Sequence, residues 1–302
     1  MQGSPLRCVV ILSSKSSGSS ALQRLLCDGT NASHVERTRH AENETLYWTK
    51  AASILGLPQS RLHGSEVPIA PRKAKTDLIT LLAQNVSTFV LPNDEQTLVF
   101  EGWRALCARY SPVFVEKSPH HLHQWSCLKL MADAAVRLPD IDFRFIGLVR
   151  NPMDTLYSAW SRWQFSPEKI QFEWLEAHQN LLRFKDLGGD RLTIVTYEAL
   201  AAEGAAAALR SGLGIEGTSA GIPDLHSNSV MRWKTDKSYG FELDARVAAL
   251  AASFGYTPDQ LANRSSYRWK LKHLLRREFE VTWLRSARRM KQLLKNLARA
   301  PT

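Results

Sequence analysis

The stretch "VVILSSKSSGSSALQRLL", Val9 to Leu26, sets an apolar run, a cluster of hydroxyls around one glycine and the start of a helix side by side. Val, Ile and Leu in succession suit a strand covered on both faces, as in a parallel sheet. Serine and glycine weaken both strand and helix, so the segment between them must serve another end. A helix N-terminus presents unpaired N–H groups and a partial positive charge, which suits an anion. Gly18 lets the backbone turn tightly and approach a ligand. Ser16, Ser17, Ser19 and Ser20 add hydroxyl donors, and Lys15 adds charge. The stretch reads as strand, phosphate- or sulfate-binding loop and helix; a polar turn with a serine N-cap is the plainer alternative. A nucleotide kinase would show Gly-x-x-x-x-Gly-Lys-Ser/Thr, with lysine directly before the hydroxyl that holds Mg²⁺. Here Ser19 follows Gly18, so the loop is P-loop-like without that pair.

Working outward, Val113–Glu116, Phe143–Val149 and Leu192–Thr196 repeat the apolar signature first met at Cys8–Leu12. Helical stretches lie between them at Ala21–Leu26, Asp77–Gln84, Trp125–Ala135 and Pro152–Trp163. This alternation predicts an α/β chain, a P-loop-like three-layer fold with a central parallel sheet and helices on both faces. Each strand runs into a polar cluster: SSKSSGSS, KSPHH, RNPMD and YE. Ligands of open parallel sheets bind beyond the carboxyl ends of the strands, where these clusters are expected to meet. Further along, Glu203–Leu213 and Phe241–Gly255 read as helices and Asp224–Lys237 as a polar loop.

With 302 residues, 44% of them hydrophobic, the chain can bury a substantial core. Its net charge of +10 is unevenly spread. Arg264–Thr302 carries twelve Lys or Arg against two Glu, a surplus equal to the whole net charge. The expected organisation is a neutral domain over 1–263 and a basic amphipathic helical tail over 264–302. In that tail Trp269, Leu274, Phe279, Trp283 and Leu294 alternate at helical spacing with arginines, a pattern suited to an anionic membrane surface. Packing on the parent domain and binding an acidic glycan or lipid headgroup are alternatives. Nucleic acid is not an expected partner, because the charge adjoins a greasy face. The four cysteines show no metal or redox spacing, "MQGSPLRCVVIL" lacks an apolar run long enough for a signal peptide, and nowhere do eighteen apolar residues follow one another, so neither a secretory leader nor a membrane span is expected. Together these point to a cytoplasmic protein, with peripheral membrane contact through the tail. No metal is expected either, since His120, His121 and His123 lack an accompanying carboxylate or cysteine spacing.

A second anchor lies in "FRFIGLVRNPMDTLYSAWSRW". Arg150 closes a strand and Pro152 suits the first position of a helix. Asp154 and Ser158, four apart, share one helical face. Arg150 and Ser158 can therefore converge on a second anion, which a guanidinium grips through two bonds. An Arg150–Asp154 ion pair is the structural alternative.

At these residues the chain resembles the PAPS-dependent sulfotransferases, which use 3′-phosphoadenosine 5′-phosphosulfate. "KSSGSSAL" and "VRNPMDTLYSAW" carry the match, with Arg-x7-Ser its specific part, and it extends through "LTIVTYEAL" and "HSNSVMRWK". The likeness covers roughly residues 7 to 255. "AENETLYW" (Ala41–Trp48) and "VFVEKSPHH" (Val113–His121) resemble segments of heparan sulfate O-sulfotransferases. The resemblance implies that Lys15, Ser16, Ser17, Gly18, Ser19 and Ser20 hold the 5′-phosphosulfate and that Arg150 and Ser158 hold the 3′-phosphate. Arg232 or Lys234 adds a contact from the late loop. It implies Glu44 as general base, with Glu42 and His40 as supports or rivals, and Lys117 and Lys15 as the cations near the sulfonate. Three positions depart from relatives: Ser16 stands where they have lysine, Leu46 where some have histidine, and Ala21 where cytosolic ones have tryptophan. The implied activity is in-line transfer of sulfonate to an acceptor hydroxyl on a carbohydrate or glycolipid. As in phosphoryl transfer, positioning and charge stabilisation dominate such a step. The rival functions are a P-loop nucleotide kinase and a membrane-bound, non-catalytic nucleotide-binding module.

Overall fold

Alternation within the first strand, β1 (Leu6–Ser13), sets the layering of the molecule. In the computed structural model, which describes residues 6–62, 64–202, 204–217, 229–263, 269 and 271, this strand lies at the centre of the sheet. Cys8, Val10 and Leu12 enter one core and Val9 and Ile11 the other, all fully buried. β1 pairs in parallel with β3 (Val113–Lys117) on one side and β4 (Ile141–Val149) on the other. β2 (Ala32–Ser33) extends the sheet beyond β3, and β5 (Leu192–Thr196) beyond β4. The order is therefore β2-β3-β1-β4-β5, all parallel.

On one face α2 (Tyr47–Ile54), α3 (Pro71–Asn85), α4 (Glu95–Arg109), α5 (Trp125–Arg137) and α7 (Pro167–Gly188) bury their apolar sides in the larger core. On the other, α1 (Ser19–Cys27), α8 (Tyr197–Leu200) and α9 (Ala205–Gly212) cover the sheet through Leu22, Leu25, Leu26, Tyr197 and Leu200. The expected α/β sheet with helices on both faces is thus present. A third cluster joins Met153 and Leu156 of α6 (Pro152–Trp163) to Trp233, Tyr239 and Phe241. The chain leaves β1 toward β2 but leaves β4 toward β5, so a crevice opens at the carboxyl ends of β1 and β4.

α6 has the bounds read from the sequence. Pro152 occupies its first turn, and the Asn151 side chain accepts from the Met153 N–H at 2.8 Å. Other elements differ. The Phe241–Gly255 stretch is helical only as α11 (Ala245–Ala252), because Asp244 caps it by accepting from the Arg246 N–H. Within the expected loop Asp224–Lys237, Arg232–Thr235 forms the short helix α10, and residues 224–228 lie outside the described residues. After α12 (Pro258–Leu261), only Trp269 and Leu271 of the tail are described, so its expected membrane face lies outside the described residues. Trp269 packs against Trp160 and Tyr239. No helix among the described residues is long and apolar enough to cross a membrane.

Candidate active site

The loop after β1 is held shut by its own side chains. The Ser17 hydroxyl donates to the Ser14 carbonyl at 2.6 Å, and Leu22 N–H donates to Gly18 O at 3.0 Å as α1 begins. Gly18 has φ of 91°, and a Cβ there would lie 2.4 Å from Cε2 of Tyr197. Glycine is required both for the turn and for the aromatic ring above it.

Arg150 follows β4 directly and is only 6% exposed. Its Nη1 donates to Ser16 O at 3.1 Å and its Nη2 to Ser229 O at 2.8 Å. Its guanidinium also lies over the Tyr197 ring, 4.7 Å from the centroid. Tyr197 thus joins the loop after β1 to the residue after β4. Arg150 forms no ion pair with Asp154 among the described residues. Asp154 instead accepts from the Met231 N–H at 2.7 Å. Burial pushes the Asp154 carboxyl up to about 7, against the pull of Arg150.

One cleft of about 250 Å³ is lined by Lys15, Ser16, Gly18, Ser19, Ser20, Glu44, Arg150, Ser158 and Arg232. These come from widely separated segments, and the fold brings them together. Ser17 is turned inward, its hydroxyl committed to Ser14, so it presents no side-chain donor to the cleft. Lys234 donates to Asp259 O at 2.6 Å and is absent from the lining. His40 sits 3.3 Å from Glu66, also away from the cleft. Residues the sequence reading missed include Arg24, Tyr157, Arg162, Trp163 and Tyr197. Arg24 and Arg162 stand one helical turn beyond Ser20 and Ser158, so i,i+4 spacing from those serines was the available signal.

At one side of the cleft lies a compact charge cluster. Lys117, fully buried at the end of β3, donates to Ser20 Oγ at 2.9 Å and to Glu44 Oε1 at 3.3 Å. Its Nζ is 3.8 Å from Glu42, whose carboxylate accepts from the Ser20 hydroxyl. The other Glu44 oxygen is 3.6 Å from His120 Nδ1. Burial raises the proton affinity of Glu44, and Lys117 opposes that rise. Burial pushes His120 down to about 2, so Glu44 faces a neutral imidazole. Burial also lowers Lys15, while Glu173 and Glu44 work the other way. Chemically the cluster offers a proton acceptor and ammonium groups beside a cleft rich in cationic and hydrogen-bond-donating side chains.

Fold and cleft define an α/β protein whose basic and hydroxyl side chains gather where α1 and α6 begin, with carboxylates alongside. The chain belongs to the sulfotransferase family, whose model matches residues 8–216. Among solved structures it is similar to the sulfotransferase domain from the Curacin biosynthetic pathway, at 15% identity and a TM-score of 0.48. That similarity covers 82% of this chain and 97% of the other. No curated protein matches the sequence significantly.

Proposed function

We propose that the chain transfers the sulfonate of 3′-phosphoadenosine 5′-phosphosulfate to a hydroxyl of a carbohydrate or glycolipid, with Glu44 as general base. One observation carries this reading. The Glu44 carboxylate lines the same cleft as the α1 loop and Arg150, 3.3 Å from the Lys117 ammonium. The residues present fit the donor. Lys15, Arg24, Arg150, Arg162 and Arg232 line the cleft against Glu42, Glu44 and Asp154, and the buried Arg150 Nε has no partner among the described residues. Lys15 to Ser20 and the start of α1 would hold the 5′-phosphosulfate, Ser17 through its backbone. Arg150 and Ser158, with Arg232, would hold the 3′-phosphate.

Bound there, the donor supplies an activated sulfonate on a phosphate leaving group. Glu44 accepts the proton of the acceptor hydroxyl as the new bond forms. Lys117 and Lys15 offset the charge that grows on the leaving oxygen. The likeness of AENETLYW and VFVEKSPHH to heparan sulfate O-sulfotransferases supports a sugar acceptor. The basic amphipathic pattern over 264–302 supports an acceptor met at an anionic membrane surface.

Substituting Glu44→Gln tests the base. The desulfonated donor, PAP, should bind the variant as it binds the wild type. Turnover of PAPS should fall by about 10²–10⁴-fold. Undiminished turnover would assign the base to another group.

A further inference from the structure

Glu116 immediately precedes Lys117 on β3 and is 1% exposed. Successive strand residues point to opposite faces, so Lys117 turns toward Ser20 and Glu44 at the side of the cleft while Glu116 points into the other layer. A single carboxylate oxygen, Oε1, gathers three groups. It accepts from Thr45 Oγ1 at 2.7 Å and from Ser118 Oγ at 2.5 Å, and His121 Nε2 lies 3.3 Å away. Each hydroxyl is tied onward. Ser118 Oγ accepts from the Leu46 N–H and Thr45 Oγ1 from the Tyr47 N–H, both at 3.0 Å. Lys50 of α2 donates to the Thr45 carbonyl at 2.6 Å.

The segment held in this way is strained. Glu42, Asn43 and Leu46 have φ of 58°, 59° and 49°, left-handed conformations that residues with a Cβ disfavour. Such a backbone persists only where its surroundings over-determine it. The two chain segments meet through consecutive cross-links: Glu44 with Lys117, and Thr45 with Glu116. Removing the second would free the loop to relax and let the first open.

We propose that Glu116 is a positioning residue for sulfonate transfer, stapling the strained loop of Glu44 to the strand end that carries Lys117. This rests on Glu44 being the base, and it explains why a buried carboxylate stands where an apolar side chain would be easier to bury.

Thr45→Val keeps the shape of the side chain and removes one arm of the staple, and Ser118→Ala removes the other. Two quantities are read on the full chain. One is PAP release from PAPS with a methyl glycoside as acceptor, per PAP-binding site. The other is the titration of the Glu44 carboxyl by ¹³C NMR in the PAP complex, identified by its loss in Glu44→Gln. Lys117, Glu116, Glu42, His120 and Lys15 surround that carboxyl, and of these Lys117 lowers its proton affinity. Each variant should bind PAP normally, lose about 10–10²-fold in turnover, and titrate Glu44 at higher pH as Lys117 draws away. A merely structural role for Glu116 would lower thermal stability without moving that titration. Wild-type turnover, or an unmoved Glu44 titration, in both variants would overturn the proposal. A fully active Glu44→Gln would instead remove the base assignment itself, so the two failures are distinct.

Discussion

Asp154 and Tyr197 show how much of this cleft is decided by single side chains. Tyr197 touches Gly18 through its ring and Arg150 through its π face, so the loop after β1 and the residue after β4 share one aromatic wall. Asp154 is a carboxyl whose surroundings work against its charge. Burial lifts it from 3.8 to about 7, although Arg150 pulls the other way. Between those values the folded chain keeps a proton that the unfolded chain has released. The contribution of Asp154 to stability therefore falls as pH rises through that window and levels off above it. Asp154→Asn keeps an acceptor for the Met231 N–H and carries no charge. Its melting temperature, measured against wild type from pH 4 to 8, should gain steadily up to about pH 7 and hold constant beyond. A pH-independent difference would show that Asp154 ionises normally. Ser17 teaches a smaller lesson: in a run of serines the sequence cannot say which hydroxyl closes the turn and which faces outward.

Elements were readable in proportion to how strongly local chemistry marks them. α6 could be bounded directly, because Asn151 and Pro152 are start signals and Gln164 ends it in a left-handed conformation. α2 offered no such mark. All eight of its residues are buried, Thr49, Lys50 and Ser53 included, so its short polar side faces protein and not solvent. α7 does carry a period, in Ile170, Trp174, Ala177, Leu181 and Phe184, all buried, and that spacing is its mark in the sequence. β2, of two residues, exists only through its pairing with β3. The start of α6 also shapes the cleft, since Arg150 precedes it and Ser158 lies within it, and both line the cleft. Asn151 accepts from the Met153 N–H and donates to Gln260 O, both at 2.8 Å, in a buried position. Asn151→Ala should destabilise the chain by about 1–3 kcal/mol in urea unfolding, through loss of the cap and the stranded carbonyl. Unchanged stability would mean that α6 is held by its packing alone.

At the scale of the molecule, the sheet order turns scattered motifs into one site. The polar clusters after β1 and β4 stand out in the sequence, and the rule for parallel sheets predicts that they meet, as they do in one cleft. What the sequence could not supply was the path of residues 39–46. That path depends on the buried contacts of Glu116 and on His40 turning toward Glu66, both long-range. The central claim is that the Gly18 loop and Arg150 grip opposite ends of one adenosine bisphosphate. Calorimetric titration of PAP into the full chain and into Arg150→Ala, with ATP and Mg²⁺ as competitor, tests it most directly. The prediction is one PAP per chain, weakened about 10–10²-fold by the substitution, as expected for a charge-assisted contact, and not displaced by ATP and Mg²⁺. Wild-type affinity for PAP in Arg150→Ala, or preferential binding of ATP with Mg²⁺, would contradict it.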